Sequence, residues 1–347
     1  MSDPNALDES ALGPWLEEHV KGFRSLERVE KFGQGQSNPT YGLRAASGRY
    51  VLRAKPPGKL LPSAHQVDRE FRVMQALADT PVPVPRMLAL AENDASPIGR
   101  TFFVMEHVPG RVLWDPALPD ETPETRAAIY DSMNRALAAL HDVDPKAVGL
   151  EGFGKPGNYF ERQTGRWADQ YRKSEVERHQ PTHELIAWLE REMPPDDGAS
   201  CIVHGDYRID NMMFAVPGEG QDGTDILALL DWELSTLGHP FADLAYQVMQ
   251  WQLPNEGDMR GLLGIDRARA GLPSDDEYVA RYCERRGIER PDNWSFYIAF
   301  CFFRIAAILQ GVYKRSLDGN ASNPERARKM GAAVPLLTQM GLAAANS

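Results

Sequence analysis

Cysteine is scarce: Cys201, Cys283 and Cys301 are the three in 347 residues. None belongs to a C-x-x-C pair, so neither a zinc site nor a disulfide framework is expected. Positive charge is also short. Lys and Arg number 38 against 49 Asp and Glu, a formal net charge of −11, which argues against a nucleic-acid surface while leaving room for a local anion site. The start, Met1-Ser2-Asp3-Pro4, has neither the basic segment nor the apolar stretch of a secretion signal, and a cytoplasmic chain is the expectation. The most apolar run, Trp294 to Leu309, contains Arg304. It is short of the roughly 20 residues of a membrane span, so it reads as a buried core helix and no membrane partner is expected. His183-Glu184 lacks a second His four residues after the first, which excludes a zinc-protease motif. What is present is ordinary for a globular enzyme: 42% hydrophobic and 25% charged residues, on a chain long enough for two lobes.

The chain is organised around His204-Gly205-Asp206-Tyr207-Arg208-Ile209-Asp210-Asn211, an H-G-D-x-x-x-x-N loop after a short apolar strand. Residues 211 to 216 and 226 to 230 read as two strands joined by a Pro- and Gly-rich turn. The hairpin carries Asn211 at its entry and Asp231, of Leu230-Asp231-Trp232-Glu233, at its exit. The pattern predicts that Asp206, Asn211 and Asp231 converge. Phosphoryl transfer uses such a set: one carboxylate orients the attacking hydroxyl and takes its proton, while an amide and a second carboxylate hold Mg²⁺ on the phosphates of ATP. Relative to the protein-kinase pattern, Gly205 replaces Arg, and Trp232-Glu233 replaces Phe-Gly.

Upstream, Leu12, Trp15, Leu16 and Val20 predict an amphipathic helix over 8–22. Gly33 and Gly35, followed by Ser37 and Asn38, form a candidate phosphate loop before a strand over 40–45; an ordinary hairpin turn is the alternative. On the next strand, 50–55, Val51, Arg53 and Lys55 share a face. Arg53 falls at the phosphate-pairing position, with Lys55 as its competitor. Glu70, on a helix over 64–78, is the acid available to either. A strand over 101–108 breaks at Pro109-Gly110, and backbone near Glu106 to Val108 is placed to bond an adenine edge. Beyond about 123 the pattern is helical. The helix over 159–175 carries an aromatic stripe (Phe160, Trp167, Tyr171) and a basic one (Arg162, Arg166, Lys173). Asp243, before Leu244 and Ala245, reads as a buried acid tying down the catalytic loop.

These residues resemble the aminoglycoside phosphotransferase and choline kinase superfamily over about 28 to 340. The resemblance implies an α+β, protein-kinase-like two-lobe fold: a small N-terminal lobe with an antiparallel sheet, over 1–108, and a mainly helical C-terminal lobe, over 109–347. Gln36 to Thr40, Leu52 to Gly58, Arg69-Glu70 and Trp232 to Gly238 are similar to a branch related to the kinase-like domain fused to acyl-CoA dehydrogenases. The resemblance implies Asp206 as base, Asn211 and Asp231 as Mg²⁺ ligands, and Arg53 as the phosphate cation with Glu70 as partner. It also implies a small-molecule hydroxyl as acceptor, a hydroxyacyl-CoA in this branch. Arg162, Arg166 and Glu233 are the candidate substrate contacts. A protein kinase is disfavoured, since the helix with Leu244 follows Asp231 too closely for an activation segment. An aminoglycoside or choline kinase and a silent nucleotide- or CoA-binding module are the alternatives.

Overall fold

A computed structural model describes residues 7–33, 38–58, 66–155, 157–218, 222–257, 259–319 and 323–347. The chain divides into two compact units. The first holds the chain up to Trp114 with Asp131–Leu150 and Arg208–Ser235; the second holds Asp115–Tyr130, Glu151–Tyr207 and Thr236–Ser347.

The first unit is built on an antiparallel sheet. Its strands β1 (Leu26–Lys31), β2 (Thr40–Ala45), β3 (Gly48–Ala54), β4 (Met87–Ala91) and β5 (Phe102–Glu106) lie in the order β1-β2-β3-β5-β4. Alternation along the strands gives each face its own helix. Leu52, Ala54, Phe102 and Val104 join Leu12 and Leu16 of α1 (Glu9–His19) in one apolar cluster. Asp8 caps α1, accepting from the Ser10 and Ala11 N–H groups. Arg53 pairs across the sheet with Phe103, which meets Phe71 of α2 (Val67–Leu77), so Arg53 projects on the α2 side. The buried stripe of α2 reads Val67, Glu70, Met74, Leu77, at helical spacing. An acid in that stripe requires a partner. A second small sheet pairs β6 (Arg111–Val112), β8 (Met212–Phe214) and β9 (Ile226–Leu229) in the order β6-β8-β9. It delivers the expected hairpin, with Leu230 N–H donating to the Asn211 carbonyl at 2.8 Å.

The second unit is mainly helical. Helix α3 (Pro123–Asp142) belongs to it up to Tyr130 and to the first unit from Asp131. Then follow α4 (Tyr159–Ser174), α5 (Gln180–Arg191), α6 (Phe241–Trp251), α7 (Arg267–Ala270), α8 (Asp275–Arg286), α9 (Trp294–Leu317), α10 (Pro324–Gly331) and α11 (Val334–Ala345). A two-stranded antiparallel ribbon, β7 (Cys201–Val203) with β10 (Thr236–Gly238), leads into the H-G-D loop. Helix α9 is long and apolar enough to cross a membrane by composition, yet most of that stretch is buried within the protein. Phe296, Phe300, Cys301 and Phe303 are core residues, and Arg304 is buried among them. It is the central helix of the unit, packed by α4, α6, α10 and α11.

Candidate active site

The expected site residues fall into two groups, one in each unit. In the first, Arg53 is the centre. Its Nε lies 2.9 Å from Glu70 Oε2, and its Nη2 lies 2.5 Å from Asp231 Oδ1. Lys55 instead pairs with Asp68 at 3.1 Å. The two cations on one strand face are thus separated: Arg53 is the partner of Glu70. The buried Asn38 amide donates to Glu70 Oε1 at 2.8 Å and to Glu233 Oε2 at 3.4 Å. Burial works against the Arg53 charge, but Glu70, Asp231 and Glu233 outweigh it and hold the guanidinium charged well above its ordinary range. Burial pushes Glu70 up to about 8; Arg53 pulls the other way, and Asp231 and Glu233 add to the push.

Asp231 has φ +65°, in the left-handed region. Asp tolerates that region better than most residues. The turn continues as one 3-10 turn, Trp232–Leu234, with Trp232 fully buried and its indole donating to the Leu229 carbonyl at 2.9 Å. Arg69 of α2 donates to the Ser235 carbonyl at 3.3 Å, which ties the far side of this turn to the helix. Carboxylate oxygens of Glu70, Asp231 and Glu233 lie within 4.8 Å of one another. This donor set is all oxygen. It fits a hard cation such as Mg²⁺ rather than a thiophilic metal. Glu233, expected at the substrate, stands in this carboxylate group.

The second group surrounds Asp206. Gly205 has φ +84°, a conformation that explains glycine where protein kinases have arginine. The fully buried Asp243 of α6 accepts from both His204 N (2.6 Å) and Gly205 N (2.8 Å). Arg304 of α9 donates to the Gly205 carbonyl at 2.8 Å. Asp206 N–H donates to His204 Nδ1 at 3.3 Å, and the Tyr246 hydroxyl donates to Asp206 Oδ1 at 2.6 Å. The expected anchoring role of Asp243 is therefore met by two short bonds. Tyr246 and Arg304 were not read from the sequence as site residues. A signal existed for each: Tyr246 stands three residues after Asp243 on one helix face, and an arginine inside an apolar run needs a buried partner.

The remaining candidates are dispersed. Gly33 is exposed; Gly35 and Ser37 lie outside the described residues. The Glu106 N–H donates to the Arg86 carbonyl at the end of β5, and Val108 follows in irregular chain. On α4 the aromatic stripe is buried, as expected. Arg166 is exposed with its guanidinium 5.1 Å from the Trp167 ring centre, and Arg162 donates to the Lys155 carbonyl at 2.6 Å.

An antiparallel-sheet unit and a mainly helical unit, with an H-G-D loop and a carboxylate after a hairpin, define a protein-kinase-like phosphotransferase. The chain belongs to the phosphotransferase enzyme family, whose model matches residues 28–283. It is 46% identical to a candidate aminoglycoside phosphotransferase of Ralstonia eutropha, covering 98% of this chain and 99% of that one with a TM-score of 0.88. It is 47% identical over 314 residues to acyl-CoA dehydrogenase family member 10 of Mus musculus; these are 89% of this chain and 29% of the mouse protein. The fold is shared with spectinomycin phosphotransferase in complex with ADP and spectinomycin, at 11% identity and a TM-score of 0.63, over 99% of each chain.

Proposed function

We propose that this phosphotransferase uses ATP and Mg²⁺ to phosphorylate a small-molecule hydroxyl, that of a hydroxyacyl-CoA. The observation that carries the ATP and Mg²⁺ reading is the Arg53 guanidinium bridging Glu70 and Asp231. It puts a fixed forked cation, suited to phosphate, beside carboxylates suited to a hard metal. In this reading Asn211 and Asp231 hold the metal, which when bound neutralises charge on the nucleotide phosphates. Arg53 engages phosphate oxygens and Glu70 holds Arg53. Asp206 orients the acceptor hydroxyl and receives its proton.

The acyl-CoA assignment draws on the mouse relative, a protein named for acyl-CoA chemistry of which the matched region is a part. On α4, the half-buried Arg162 and the exposed Arg166 are the candidate cations for the CoA phosphates. Aminoglycoside phosphorylation is the second reading, favoured by the likeness to the Ralstonia eutropha protein. An ADP-release screen across 4-hydroxyacyl-CoAs, choline, amino alcohols, sugars and aminoglycosides decides between them. Turnover of hydroxyacyl-CoAs is the expected result; turnover confined to aminoglycosides overturns it. Replacing Arg162 and Arg166 together by Ala should raise the KM for the acyl-CoA and spare that for ATP.

A further inference from the structure

We infer that Tyr246 is the positioning residue for the Asp206 carboxylate, an inference resting on Asp206 as the base. Helix α6 holds the H-G-D loop twice. Through Asp243 it takes the His204 and Gly205 N–H groups, at 2.6 and 2.8 Å. One turn later, through Tyr246, it takes the side chain of Asp206, at 2.6 Å. Main chain and carboxylate are therefore referred to one rigid element. The terminal torsion of an aspartate is soft and broad. A short hydroxyl-to-carboxylate bond removes that freedom, and the ionised acceptor makes it stronger than a neutral pair.

Tyr246 is itself held. It is 5% exposed, and the Arg304 guanidinium sits 5.6 Å from its ring centre. The same Arg304 donates to the Gly205 carbonyl. Arg304 thus touches both the loop that carries the base and the ring that orients it. A neutral donor suits this task. The phenol fixes the plane of the carboxylate through a short bond and brings no charge of its own. In the family reaction the protein contributes chiefly through positioning, and a misplacement near 1 Å costs on the order of 10²-fold.

The test is a cycle of Tyr246→Phe and Asp206 variants. ADP formation is followed with a 4-hydroxyacyl-CoA as acceptor, and as slow hydrolysis of ATP by water. Y246F should lower kcat by about 10- to 100-fold and leave the ATP KM unchanged. In an Asp206→Asn background Y246F should have no further effect, because the group it positions no longer serves as the base. Multiplying effects on the residual turnover of D206N, or wild-type turnover by Y246F alone, overturn the inference while D206N itself is impaired. Wild-type turnover by D206N overturns the base assignment and the inference with it. Urea denaturation supplies a readout free of any substrate. Y246F should lower the unfolding midpoint in the wild-type background and fail to do so in Asp206→Ala. An equal loss in both backgrounds shows that Tyr246 acts through packing alone and overturns the inference.

Discussion

The two groups of site residues hold their carboxylates by different means. In the first unit, Glu70 and Asp231 are held by a cation, Arg53, with Glu233 nearby and Asn38 as the neutral donor. In the second, Asp243 is held by two backbone N–H groups, and Asp206 is bound by the Tyr246 hydroxyl. The difference follows the chemistry proposed for each. The carboxylates proposed to receive a metal are charge-balanced by the Arg53 guanidinium. The carboxylate proposed to accept a proton takes a hydrogen bond from a neutral hydroxyl. Ionic networks also tolerate rearrangement, because a charge acts over several ångströms. Hydrogen bonds to a loop backbone do not, because they demand distance and angle together.

The largest effect should come from Asp206→Asn, which removes the proton acceptor and keeps the shape. Turnover should fall by roughly 10²- to 10⁴-fold with ATP affinity retained. Turnover within a few-fold of wild type would place the base elsewhere. Next is Asp243→Ala. It leaves two N–H groups of the buried loop without their acceptor, and the loss of folding stability should be about 2–4 kcal/mol. Urea denaturation checks this, and a wild-type midpoint would mean that the loop is held without α6.

The other unit should answer through the metal rather than through stability. Asn211→Ala and Asp231→Ala should each weaken Mg²⁺-dependent ATP binding by at least about tenfold, seen by titrating ATP at several Mg²⁺ concentrations. Wild-type metal dependence in both would remove the hairpin from the metal site. Arg53→Ala should raise the ATP KM and lower kcat. Lys55→Ala should change either by less than about fivefold, since its partner Asp68 is a partly exposed surface acid. The reverse ranking in steady-state kinetics would move the phosphate role to Lys55 and erase the contrast between the two units.

The parts of the site that were legible in the sequence are those whose members are close along the chain. His204 to Asn211 and Leu230 to Glu233 announce themselves as motifs, and the Pro- and Gly-rich turn between the strands shows that they are joined as a hairpin. The helices were legible from their apolar stripes, including α9 with its single buried arginine. The competition between Arg53 and Lys55 was not resolvable by periodicity, because both point to one face of β3. The structure shows which of them takes the helix acid: Glu70, in the buried stripe of α2, meets Arg53, while Asp68 meets Lys55. The place of Tyr246 three residues after Asp243 puts it on the same helix face, but does not by itself distinguish a tyrosine that packs from one that donates.

By itself the sequence carried the motifs whose resemblance pointed to the family and the protein-kinase-like fold, and it named the candidate carboxylates, because such motifs are local properties of the chain. Tertiary structure decided the pairings. Arg53 and Asp231 are 178 residues apart, Asn38 and Glu233 195, Gly205 and Arg304 99. No local rule connects such positions. Each is brought to its partner by packing of an apolar face: the α2 stripe carries Glu70 to the sheet, and the buried length of α9 carries Arg304 to the loop. A buried charge or hydroxyl then takes whichever partner that packing presents, since leaving it without one costs more than most single contacts contribute.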